Sequence, residues 1–344
     1  MSEPKIITCT GYGGTGSSVV SDLLKEFSNI YSFGEFEFRF LQDPHGVRDL
    51  DYGIVQNNNR LTTSYHINNY IRYTEFLSKS NIYPYERFFN NKFKEITDEY
   101  IKNIIDVEWD GFWHQDIIDD NPLKKFIYYL ERLYQKKFLG TKEGGAEIYG
   151  KLFNKKMYYS YPRESFYSET RNYLRKLINS SNYDSKEYVV FDQLIPPNDT
   201  NHYLKYFDDL KVIIIDRDPR DLYLLNKCRW NEKWIPTGDI HNYIRWFKIL
   251  REHQKFDQED KRKVIRLSFE DFIYKYTETV QKICDFCGIE NKEHSYKYKY
   301  FDPTISINNT NIKYKHPEYN VEVNIIEKEL PEFCYNFPEN KLKL

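Results

Sequence analysis

KIITCTGYGGTGSS, residues 5–18, runs from an apolar, β-branched stretch straight into a loop with four glycines in six positions. A helical pattern follows, with Val20, Leu23, Leu24 and Phe27 at helical spacing over residues 16–28. Strand, glycine loop and helix N-terminus together form an anion cradle. Glycines let backbone N–H groups approach phosphate oxygens, and the helix dipole favours negative charge. Gly13, Gly14, Thr15, Gly16, Ser17 and Ser18 are therefore the candidate anion-binding residues.

Working outward, further β-branched runs fall at residues 30–33, 188–191, 211–216 and 263–267, alternating with helical patterns such as residues 269–286. That alternation predicts an α/β fold with a mostly parallel central sheet flanked by helices. Val212 to Ile215 is wholly apolar, as in a strand covered on both faces. Residues 56–185 separate the second strand from the third and look mostly helical. They read as an insertion that covers the acceptor side, with the nucleotide-binding core formed by residues 1–55 and 186–344. Beyond about Glu293 the chain looks irregular.

A second motif ends the fourth strand. In IIIDRDPRDLYLL, residues 213–225, Pro219 suits the first position of a helix capped by Asp218, and Asp221 has the spacing of a capping box. Arg217 has no such duty. It leaves the C-terminal end of a parallel strand, where ligands bind in open sheets. Arg220 divides between a structural and a binding role.

Three ligand classes compete for the loop. A nucleoside-triphosphatase loop needs a lysine before its Ser or Thr, and Gly16 stands before Ser17. A dinucleotide fingerprint is matched literally by Gly11, Gly13 and Gly16, with Glu35 or Glu37 about 20 residues on for a ribose. The third class resembles the sulfotransferases that use 3′-phosphoadenosine 5′-phosphosulfate (PAPS). Gly16-Ser17-Ser18 is similar to the end of their 5′-phosphosulfate loop, and residues 213–225 are similar to their strand-Arg-x-Pro-Arg/Lys-Asp-helix segment. The resemblance implies a P-loop-NTPase-like core of bacterial sulfotransferase type and PAPS as donor. It assigns the donor's 3′-phosphate to Arg217, with Lys313 approaching from a C-terminal loop, FDPTISINNTNIKYKH, residues 301–316. The chain departs from that pattern twice. Gly14 stands where many members carry Lys or Arg, and Leu225 replaces a serine, leaving Asn226 or Lys227 as substitute donors.

Sulfuryl transfer needs an in-line hydroxyl, a base for its proton and cations on the leaving phosphate, with no metal expected. In GEFEFRFLQDPHGVRD, residues 34–49, an extended chain puts Glu35, Glu37 and Arg39 on one face and Phe36, Phe38 and Phe40 on the other. Glu35 or Glu37 is the candidate base and Arg39 the replacement cation. His45 is the second candidate base.

Composition narrows the field further. Fifty basic and 52 acidic residues leave a net charge of −2, which argues against a nucleic-acid partner. Five cysteines, an odd number, and a start without signal-peptide character imply a cytoplasmic protein with no membrane segment. Cys284 and Cys287 are spaced as one helix face. WHQDIIDD, residues 113–120, reads as helix-capping acids rather than a metal site. Lys151, Lys155, Lys156 and Arg163 form a basic stretch among tyrosines, and the 32 tyrosines point to a carbohydrate or cell-envelope acceptor. A nicotinamide-dependent oxidoreductase and a noncatalytic nucleotide-binding module remain the alternatives.

Overall fold

The computed structural model describes residues 3–111, 113, 117–118, 120–139, 155–162 and 165–338, without the side chains of Glu35 and Gln135. In chain order the main elements are β1 (Lys5–Gly11), α1 (Ser18–Leu24), β2 (Ile30–Glu37), α2 (Arg60–Lys79), α3 (Phe93–Ile104), β3 (Val107–Gly111), α4 (Pro122–Tyr134), β4 (Lys155–Tyr159), α5 (Ser165–Ser180), β5 (Tyr188–Asp192), β6 (Leu210–Asp216), α6 (Pro219–Leu225), α7 (Ile240–Glu252), β7 (Val264–Ser268), α8 (Tyr276–Cys287) and α9 (Asn320–Glu329). The chain divides into two compact units. The first comprises Met1–Asp43, Arg87–Asn90 and Leu174–Leu344, and the second Pro44–Glu86 and Asn91–Tyr173.

The first unit is built on a five-stranded sheet in the order β2-β5-β1-β6-β7, every pair parallel. All five strands fall where the apolar runs predict them. β1 and β6 are central and buried on both faces: Ile7, Thr8, Cys9 and Thr10 of β1 and Val212, Ile213, Ile214 and Ile215 of β6 have no exposed surface. Helices α1 and α8 pack against the sheet through Val20, Leu23, Leu24, Ile283, Cys284 and Cys287. The CxxC pair is thus a buried helix face, and burial lifts the Cys284 thiol to about 11 and the Cys287 thiol to about 12.

Counting only sheet strands in chain order, the arrangement is 2-3-1-4-5. A dinucleotide-binding sheet places its second strand beside its first, as 3-2-1-4-5-6. Here β5 lies between β1 and β2. The order reverses at β1 and β6, so the crevice beyond their C-terminal ends is the expected ligand position.

The alternation expected through residues 35–40 holds where side chains are described: Glu37 and Arg39 are exposed and paired, while Phe38 and Phe40 are buried. β2 shifts register against β5 between Ser32 and Glu37, a stretch that contains Gly34 with φ +76°. Phe33, Phe36 and Phe38 join Phe88, Phe89 and Phe191 in one aromatic cluster. Two other expectations change. The stretch beyond Glu293 is not irregular throughout. Helix α9 buries Val323 and Ile326, with Leu330 just after it, an i, i+3, i+7 stripe that packs on Leu222 and Phe247. In the second unit, helices are accompanied by an antiparallel β3–β4 pair, in which Lys156 bridges to Glu108 at 2.8 Å and Asp110 at 3.4 Å.

Candidate functional site

The loop after β1 leaves the sheet at its reversal point. Gly11 is in register with Ile215 of β6, so loop and second motif emerge side by side. Gly13 has φ +84°, and an added Cβ there falls 2.3 Å from the Trp234 ring. Gly14 has φ +66°. Its missing Cβ points at Leu222, 2.9 Å away, with Ile235 and Trp230 each at 3.3 Å. A lysine or arginine has neither backbone freedom nor room at this position, which accounts physically for the absent loop cation. Tyr12 is buried beside the loop. Its hydroxyl receives Gln254 Nε2 at 2.6 Å and Arg266 Nη1 at 2.9 Å, and Arg251 lies 4.5 Å from its ring. Arg251 in turn pairs with Asp216 at the end of β6, Nε to Oδ2 at 2.7 Å. This network braces the ends of β1, β6 and β7 from beneath.

The hydroxyls of the loop have different surroundings. Ser17 Oγ donates to Asp192 Oδ1 at 3.3 Å and accepts from Gln193 Nε2 at 3.0 Å, while Thr10 donates to Gln193 Oε1 at 3.0 Å. Thr15 Oγ1 is buried with no hydrogen-bond partner among the described residues. Ser18 opens α1. Asp192, at the end of β5, was not singled out from sequence. It is buried and also accepts from the Cys9 thiol, 3.3 Å away. Burial pushes its carboxyl up to about 7. Hydrogen bonds from Cys9 and Ser17 oppose the rise, and the charge of Glu37 adds to it. In sequence, FDQ is merely the end of a strand. Only the fold brings Cys9, Ser17 and Glu37 to it.

Arg217 leaves β6 into the same crevice. It is 5% exposed, with its guanidinium 4.2 Å from the Phe269 ring centre and 5.6 Å from that of Trp230. Nη2 donates to the Asn309 carbonyl at 2.5 Å, and Nε has no hydrogen-bond partner among the described residues. Arg217 forms no ion pair among those residues either. Asp221, four residues on, is directed elsewhere, accepting from the backbone N–H groups of Asn311 at 2.7 Å and Ile312 at 2.9 Å. Burial lowers Arg217 from the ordinary guanidinium value and raises both Asp221 and Glu270. The charges of Glu270, Asp221 and Asp218 oppose that drop in Arg217, but among the described residues none of them bonds its guanidinium, which leaves room for a hydrogen-bonded anion.

Asp218 caps α6 as expected, accepting from the N–H groups of Arg220 and Asp221, with Pro219 at the first position. The capping box does not form. The Asp218 N–H goes to Glu270 Oε1 at 3.0 Å, and Asp221 holds the C-terminal loop instead. Residues 301–316 are thereby drawn against the second motif.

The remaining candidates are placed as follows. Arg220 is fully engaged, with Asp218, Glu327 and the Tyr335 carbonyl as acceptors. Lys313 pairs with Glu327 at 2.9 Å. Asn226 is buried and closes the turn to residue 237 through Glu232, Ile235 and Thr237, while Lys227 donates to the Thr237 carbonyl. Glu37 is exposed and 3.5 Å from Arg39, which also bonds Asp43 at 2.8 Å. Glu35 belongs to β2, but its side chain lies outside the described residues. His45 belongs to the second unit, with φ +70° and its N–H on Asp49. His114, Asp116, Asp119, Lys151 and Arg163 lie outside the described residues, while Asp120 pairs with Lys124 at 3.1 Å. Among the described residues no helix is long and apolar enough to cross a membrane.

Comparison with known proteins follows this geometry. Residues 153–293 match the model of the sulfotransferase family. That span contains β5, β6, the Arg217 motif and β7. No curated protein matches the chain. Among solved structures, the chain resembles the sulfotransferase domain of the curacin biosynthetic pathway at 13% identity and TM-score 0.40, covering 98% of this chain and 99% of that one. It resembles the sulfotransferase domain of the Synechococcus PCC 7002 olefin synthase at 12% identity and TM-score 0.39, covering 88% and 80%. A sulfotransferase from Alicyclobacillus acidocaldarius is similar at 11% identity and TM-score 0.35, covering 95% and 96%.

Proposed function

We propose, for a chain whose residues 153–293 match the sulfotransferase family model, that it moves a sulfuryl group from PAPS to a hydroxyl. The observation that carries this reading is Arg217, a buried guanidinium at the sheet's reversal point, without a carboxylate partner among the described residues and with an orphaned Nε. A rigid donor fork suits a phosphate, and Phe269 and Trp230 hold it in place. The 3′-phosphate is assigned to Arg217 and the 5′-phosphosulfate to Gly13–Ser18, where Gly16 lies against the same Phe269 ring that Arg217 covers.

In the reaction the sulfur–oxygen bond to the donor's phosphate breaks and a new one forms to the acceptor oxygen. The acceptor's proton passes to a base, and adenosine 3′,5′-bisphosphate leaves. Glu35 and Glu37 are the proposed bases, with Arg39 as the nearby cation and His45 as the second choice. Asp192 joins them because a carboxyl near 7 suits proton transfer at neutral pH. The acceptor class, a carbohydrate or envelope precursor selected by residues 56–185, rests on tyrosine abundance and on the place of that segment in the sequence. The dinucleotide alternative loses its geometry, since a ribose acid on β2 is separated from β1 by β5.

The test is transfer of labelled sulfate from PAPS to a panel of sugar, phenol and alkyl hydroxyls. Turnover on one class names the acceptor, and Glu35→Gln, Glu37→Gln and Asp192→Asn identify the base by loss of kcat. Donor binding without turnover on any class would leave the noncatalytic module.

A further inference from the structure

On the outer side of the second motif, three side chains of different chemistry converge. Cys228 lies in the π-helical turn Asn226–Trp230 that extends α6. His316 and Glu318 come from the C-terminal loop, either side of Pro317. Each offers a ligand atom, and the three atoms lie within 4.8 Å of one another. His316 Nδ1 and Glu318 Oε1 are 3.1 Å apart. Ligand atoms around a tetrahedral zinc, with bonds of about 2.0–2.3 Å, are separated by about 3.5 Å, so modest side-chain rotation completes the set.

We infer that Cys228, His316 and Glu318 form a binding site for a zinc-class transition metal, with the fourth position open to water. Three observations argue for it. The ligand types are a thiol, an imidazole and a carboxylate, a combination suited to zinc and its neighbours, whereas magnesium and calcium take oxygen ligands. Cys228 is the exposed cysteine, while Cys9, Cys284 and Cys287 are buried, so its thiol is open to solvent. Finally, the two segments are already held in register. Arg229 Nη1 donates to Asn309 Oδ1 at 2.8 Å, and Asp221 accepts from Asn311 and Ile312. The ligands therefore do not depend on the metal for their approach. An ion there fastens residues 312–319 to the end of α6. It stands apart from the proposed donor chemistry and survives if that reading fails.

The experiment is equilibrium dialysis of the full chain against zinc alone, followed by metal analysis, with cobalt(II) substitution as the spectroscopic arm. The expected result is about one zinc per chain and a cobalt form with tetrahedral ligand-field bands and a thiolate charge-transfer band. Losing an outer-shell partner costs 10–100-fold in affinity, so Cys228→Ser and His316→Ala should each cost more than about 100-fold and abolish the thiolate band or the tetrahedral bands respectively. Circular dichroism keeps folding separate from binding. Substoichiometric zinc, equal zinc retention by Cys228→Ser, or cobalt without a thiolate band overturns the assignment.

Discussion

Replacing Asp192 by Asn tests whether the buried carboxyl under the loop is held neutral. Its ordinary value of 3.8 rises to about 7, chiefly through burial. The folded state then binds this proton more tightly than the unfolded state. The stabilisation is fully present below pH 4, is lost progressively as pH rises, and is gone above about pH 7. The whole span corresponds to about 4 kcal/mol, of which about 2–3 kcal/mol falls between pH 5 and pH 8. Asn keeps an oxygen to accept from Ser17 and Cys9 but cannot ionise. In urea unfolding, wild type should therefore lose about 2–3 kcal/mol more than Asp192→Asn on going from pH 5 to pH 8. Taking the difference between the proteins cancels the other raised acids, Asp221 and Glu270. Glu37→Gln should shift the wild-type transition to lower pH by removing a neighbouring negative charge. If the wild type and Asp192→Asn curves stay parallel from pH 5 to pH 8, the carboxyl titrates normally and its proposed part in proton transfer falls.

Asp221→Ala removes the acceptor of two backbone N–H groups. Hydrogen exchange at Asn311 and Ile312 should accelerate, with a cost of roughly 2–4 kcal/mol; unchanged protection there means the loop is held by something else. Glu26 is fully buried and receives His294 Nε2 at 2.8 Å and the N–H groups of Tyr300 and Phe301 at 2.9 and 3.0 Å. Glu26→Ala should destabilise by about 3–5 kcal/mol, and an unaltered unfolding midpoint refutes that. Gly14→Lys, which puts a cation into the loop, should destabilise by about 1–3 kcal/mol through its positive φ and the Leu222 contact. A thermal melt equal to wild type would show that the loop has room after all.

Much of the core was legible because its signals are local. The five strands are short runs rich in β-branched and aromatic residues, wholly apolar at Val212 to Ile215, and the Asp218-Pro219 cap is a fixed-spacing rule obeyed within one helix turn. What escaped was set by distant partners. Asp221 has capping-box spacing, yet two backbone N–H groups some ninety positions later compete for it and win. The register shift of β2 between Ser32 and Glu37 depends on its pairing with β5. Helix α9 is short and polar, and its stripe of Val323, Ile326 and Leu330 gains meaning only against Leu222 and Phe247. Asp192 is an ordinary strand end until Cys9, Ser17 and Glu37 surround it. The absent loop cation is legible as a departure in sequence, but its cause, the packing of Leu222, Ile235 and Trp230 on Gly14, is tertiary.

The central claim is a phosphate site at Arg217. Truncating one partner of a buried, hydrogen-bonded charge pair costs about 2–5 kcal/mol, or roughly 30- to several-thousand-fold in affinity. Calorimetric titration of adenosine 3′,5′-bisphosphate into wild type and Arg217→Ala, with NAD and ATP as controls, measures this directly. A phosphate site at Arg217 predicts selective binding to wild type and a loss of at least about 30-fold in a folded Arg217→Ala protein. Equal affinity in the two proteins, or preference for NAD, contradicts it.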